Sequence, residues 1–107
     1  MKNVNDILTD EQIVMLMSEL SHNDLFALFF MNETEKIDYF IDYRNVWVSN
    51  FHGYNKQFVK LVEESLYYKA SDRSKYLDYF ERMHSLLINM QHCLDFIIIY
   101  GILLNNI

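Results

Sequence analysis

Apolar residues return at Tyr76, Phe80, Met83, Leu87, Met90, Leu94, Ile97 and Leu104, a 4-3-4-3 spacing interrupted only where Gly101 takes a seam position. A repeat averaging 3.5 residues keeps one stripe of a helix against a partner, so residues 72–104 read as one long C-terminal helix with a heptad seam. At about 1.5 Å per residue that helix is roughly 50 Å long, beyond the diameter of a small domain. It either breaks, near residues 89–92, or protrudes and pairs with a second copy.

Upstream, polar caps alternate with shorter apolar faces. Thr9-Asp10-Glu11-Gln12 is a capping-box pattern, and Leu8 with Ile13 completes a hydrophobic staple. The helix it opens runs to about residue 20 and carries Ile13, Leu16, Met17 and Leu20 on one face. Ser21 repeats the logic for a second, short helix to about residue 31. Leu25, Phe26, Leu28, Phe29 and Phe30 make it apolar almost all round, so it is expected to be the most buried element.

Asn32-Glu33-Thr34-Glu35 starts a third helix, with acidic residues in the first turn where the helix dipole favours them and Ile37, Phe40 and Ile41 on its apolar side. Residues 45–51 alternate polar and β-branched or aromatic positions and fit strand and helix alike. A lone strand has nothing to pair with, so this stretch is expected to be helical or irregular and to end near Gly53 as a C-terminal cap. A fourth helix over residues 55–69 places Phe58, Leu61, Val62 and Leu66 on one side and the Lys60/Glu64 pair on the other. Ser71 and Asp72 then cap the last helix.

Composition agrees with helices joined by short polar links. The chain has 107 residues, 51% hydrophobic and 16% aromatic, with no proline and two glycines, whereas sheets need turn residues. The expected fold is all-α, a four- to five-helix bundle forming a single domain over residues 1–107. One cysteine, Cys93, excludes an internal disulfide and fits a reducing compartment. With no signal-peptide pattern at the N-terminus, the expected location is cytoplasmic. The most apolar segment, residues 96–104, is short of the roughly 20 residues that cross a bilayer and is expected to be a buried helix end or an interface.

Charge divides the chain. Residues 1–53 hold nine acidic and three basic residues, residues 54–107 six of each, so the net charge of -6 belongs to the first half. An acidic field repels a phosphate backbone and steers cationic proteins inward. Direct nucleic-acid or membrane binding is not expected.

The chemical constellations are sparse. None of His22, His52, His84 and His92 lies four residues from another, so no pair shares a helix face as zinc ligands do. Cys93 next to His92 is not a nucleophile with its base, because adjacent helical residues point apart. The first two helices have helix-turn-helix lengths, yet residues 25–31 offer no Arg, Lys, Gln or Asn to phosphates or base edges. Lys56, Lys60, Lys69, Arg73 and Lys75, interleaved with Tyr67, Tyr68 and Tyr76, form a mixture that can stack single-stranded bases but is more often a solvated helix junction. No catalytic, cofactor-binding or metal-binding residue is expected, and no enzymatic activity.

What remains is surface for another protein. Glu35, Asp38 and Asp42 recur at three and four residues, a like-charge stripe that destabilises a helix by a few tenths of a kcal/mol per pair, roughly, unless Lys36 and Arg44 neutralise it. Tyr39, Tyr43, Arg44 and Trp47 recur beside it and are residue types that dominate interface hot spots; the spacing also suits a core face. The leading expectation is a small acidic regulator or stoichiometric inhibitor. It docks Glu35, Asp38, Tyr39, Asp42, Tyr43 and Trp47 on a basic surface such as that of a nucleic-acid-binding enzyme. The alternative is a homodimeric structural or adaptor module assembled through Phe80, Met83, Leu87, Met90, Leu94 and Ile97.

Overall fold

The structure, a computed structural model, describes residues 4–20, 30–67 and 72–107. The fold is all-α, a small bundle with four helices among the described residues: α1 (Val4–Ile7), α2 (Asp10–Glu19), α3 (Glu33–Ser65) and α4 (Arg73–Asn105). The short phenylalanine-rich helix expected after Ser21, most of the second helix of the helix-turn-helix reading, His22, Tyr68, Lys69 and the Ser71 cap lie outside the described residues.

Local chemistry sets the first boundaries. Thr9 caps α2 in a full capping box: the Gln12 amide donates to Thr9 Oγ1 at 3.2 Å, and the Thr9 amide donates to Gln12 Oε1 at 2.9 Å. Asn32 and Glu35 form a second such pair at the start of α3, with distances of 2.8 and 3.1 Å. Each cap satisfies amides that have no partner inside the helix.

Two sequence expectations give way here. The third and fourth helices are one continuous helix, α3, and Gly53 lies inside it rather than at a C-terminal cap. A glycine costs a helix interior only about 1 kcal/mol, too little to stop one that is already propagating. The single long C-terminal helix, by contrast, is as expected, and of the two alternatives for it the break is absent: α4 runs continuously through residues 89–92. By length and composition α4 is apolar enough to cross a membrane, with a third of that apolar window buried within the protein.

The chain forms two compact units, Met1–Trp47 with Asp95–Ile107, and Val48–Leu94. In unit one, Leu8, Leu16, Leu20, Phe40, Phe96, Ile99, Tyr100 and Leu103 make the core, with Ile13, Tyr39, Tyr43 and Trp47 packed against it. Burial of each such large side chain is worth about 1.5–3 kcal/mol. Aromatic rings tie it together: Tyr43 stands 5.8 Å and Phe40 6.1 Å from Tyr100 between centroids.

Unit two is a thinner assembly of residues 48–67 and 72–94. Among its described residues only Leu86 and Cys93 are buried. Phe58 and Leu61 are half-buried as their helical face predicts, but Leu66 is exposed where α3 ends in a turn. Tyr79 donates its hydroxyl to Glu64 Oε2 at 2.9 Å, and Arg82 lies over the Tyr79 ring, 5.8 Å from its centroid.

Candidate protein-binding face

Unit one carries the acidic face. Glu35, Asp38 and Asp42 lie on one side of α3 and are exposed. Glu35 is partly committed, since its carboxylate accepts from the Asn32 amide in the cap. Asp38 and Asp42 are one helical turn apart, and among the described residues neither has an ion-pair partner, so Lys36 and Arg44 do not neutralise them. Exposed Val46 extends the same face by a further turn.

The aromatic residues of the predicted face are placed differently. Tyr39, Tyr43 and Trp47 share the stripe beside the carboxylates, but they are half-buried and packed on the core. Tyr39 and Tyr43 lie 4.5 Å apart between ring centroids. Trp47 stacks on Phe96 and donates its indole N–H to Glu19 Oε1 at 2.8 Å. α3 therefore presents carboxylates to solvent and aromatics to the interior, and the second set fixes the orientation of the first.

Glu19 is the residue the sequence does not announce. Its other oxygen, Oε2, accepts from the buried Tyr100 hydroxyl at 3.0 Å. The partners lie 28 and 81 residues away, so no local spacing signals the arrangement. Burial pushes the Tyr100 phenol well above its usual pKa, and the charge and hydrogen bond of Glu19 push it the same way. This node joins α2, α3 and α4, and is the polar fastening of unit one.

Unit two holds the predicted self-association residues at graded depths. Phe80, Leu87 and Leu94 are exposed, Met83 and Met90 half-buried; Ile97, half-buried, belongs to unit one. Two further positions of the proposed seam divide in the same way, with Tyr76 exposed and Leu104 half-buried against the core of unit one. Cys93 is buried, and desolvation raises its thiol pKa. A shallow groove between Lys60 and Glu64 on α3 and Glu81 and Arg82 on α4 mixes both signs of charge. His52, His84 and His92 are exposed, and among the described residues no group of three or more His, Cys, Asp or Glu is placed to hold a metal ion.

Neither protein-family models, curated proteins nor solved structures give a match to this chain.

Proposed function

We propose that the protein works by binding another protein, as a small acidic regulator or stoichiometric inhibitor that lays Asp38 and Asp42, flanked by Glu35 and Val46, on a basic surface. The observation that carries this reading is the pairing of two exposed, unneutralised carboxylates with an inner aromatic face that holds their helix in place. Like charges one turn apart cost stability, and a cationic surface converts that cost into binding energy. Tyr39, Tyr43 and Trp47 act as positioning residues: contact with the partner falls to the carboxylates and to the exposed aromatic edges.

A nucleic-acid-binding enzyme is a natural owner of such a surface, because carboxylates on successive turns present negative charge as a phosphate row does. The test is a pull-down with tagged protein from a nuclease-treated lysate of the source cell or its host, washed at low and at high salt. Capture of a basic protein in stoichiometric amount, released as salt rises, supports the reading. Capture that is indifferent to salt contradicts it.

A further inference from the structure

Residues 73–94 of α4 leave a stripe of large apolar side chains in solvent. Tyr76 is 43% exposed, Leu77 51%, Phe80 54%, Leu87 47%, Ile88 58% and Leu94 38%. At 3.6 residues per turn they fall within an arc of about 120°, in which exposed His84 and Gln91 separate Leu77 and Ile88 from the seam residues Tyr76, Phe80, Leu87 and Leu94, and half-buried Met83 and Met90 border the seam side. The buried residues of the same segment, Leu86 and Cys93, lie outside that arc. Scattered exposed leucines are ordinary, but an apolar seam that returns at Tyr76, Phe80, Leu87 and Leu94 over five turns, with Met83 and Met90 beside it, marks a contact surface.

Its area fits one kind of occupant. With about 200 Å² for each large side chain, half-exposure of six gives roughly 500–600 Å². A standard interface takes about 800 Å² from each partner and a little over half of that is apolar, so the stripe supplies the apolar part of one such interface. Charge permits self-pairing here and opposes it elsewhere. By sequence Val48–Leu94 holds six basic and five acidic residues, whereas Met1–Trp47 with Asp95–Ile107 holds three basic and ten acidic. Two copies of unit one repel, while two copies of unit two meet as nearly neutral surfaces.

The spacing is also self-complementary. Phe80, Leu87 and Leu94 recur every seven residues with Met83 and Met90 between them, which offers knobs and holes in equal number to the same stripe reversed. A two-fold axis near Leu87 sets Phe80 of each copy beside Leu94 of the other. We infer that this stripe of α4 is the interface between two copies of the chain.

Sedimentation equilibrium of the wild-type protein over a wide concentration range tests it, together with Leu87→Glu and, as a control, Val14→Glu on the exposed side of α2. The expected result is a mass of two chains for wild type and Val14→Glu, and of one chain for Leu87→Glu with its helical circular dichroism retained. Should Leu87→Glu lose that signal, Phe80→Ala replaces it and is expected to weaken the dimer at least tenfold. A wild type that stays at one chain mass overturns the inference. So does a folded stripe variant that dimerises as tightly as wild type. The outcome is independent of the acidic face, since salt-sensitive capture of a basic protein is read in a separate assay.

Discussion

The indole of Trp47 lies flat on the ring of Phe96, with centroids 4.5 Å apart and planes 8° from parallel. The same indole donates to Glu19, so the only tryptophan of the chain is held both by its face and by its edge. Truncation of Trp47 to Ala is expected to cost about 3 kcal/mol, while Trp47→Phe keeps a ring on Phe96 and loses the N–H for about 1 kcal/mol. Urea unfolding of the two variants beside wild type measures both. Equal losses would mean that the hydrogen bond, not the stack, holds the ring.

Tyr100 gives unit one an alkaline limit. A free tyrosine ionises near pH 10, and burial with Glu19 beside it raises the folded value further. Below about pH 10 folded and unfolded chains both hold the proton, and this group's contribution is fully present. As pH rises beyond that, the unfolded chain releases the proton and the folded chain must keep it. Stability then falls by up to about 1.4 kcal/mol per pH unit. Tyr100→Phe is expected to cost about 1–2 kcal/mol at neutral pH and to flatten this decline, as read by denaturant titrations from pH 8 upward. An equally steep alkaline loss in the variant would assign the effect to other groups.

Cys93 is 1% exposed, and desolvation holds its thiol in the protonated form. Only the thiolate reacts with a disulfide reagent, so modification is expected to track unfolding of the surrounding helices. Reaction with an aromatic disulfide reagent should be many-fold slower in native protein than in denaturant. Rapid native-state reaction would show that this part of unit two opens readily.

Gly53 and Gly101 both lie inside helices, and a Cβ built on either meets nothing within 4 Å. Neither position has a steric need for glycine. Gly53→Ala and Gly101→Ala are each expected to raise stability by about 0.5–1 kcal/mol, through greater helix propensity and a less disordered unfolded chain. Thermal melts of the two single variants beside wild type check this.

Local chemistry was readable from sequence where it spans three or four residues. The Thr9/Gln12 and Asn32/Glu35 caps formed as their spacing predicts. The continuity of α3 was not readable, because alternation over residues 45–51 suits strand and helix equally and packing decides between them. On α4 the heptad signal is real but carries two stripes. The repeat Leu86, Cys93, Tyr100 is buried, and it stands one residue before Leu87, Leu94 and Gly101. Hydrophobicity alone favours the stripe with more leucines. Glycine at the third position was the sign that this stripe is not the one closing the core. On α3 the spacing of Tyr39, Tyr43 and Trp47 was visible but their direction was not, since Glu19, the acceptor for Trp47, comes from a distant segment.

Double charge reversal separates a role of the exposed Asp38 and Asp42 in binding a partner from a role in the fold. Asp38→Lys/Asp42→Lys should melt within a few degrees of wild type, because it exchanges one exposed like-charge i,i+4 pair for another and such pairs are worth only a few tenths of a kcal/mol, roughly. Its affinity for the captured basic protein, measured by titration calorimetry at low salt, should fall at least a hundredfold. Unchanged affinity in the folded double variant would contradict a binding role for this face.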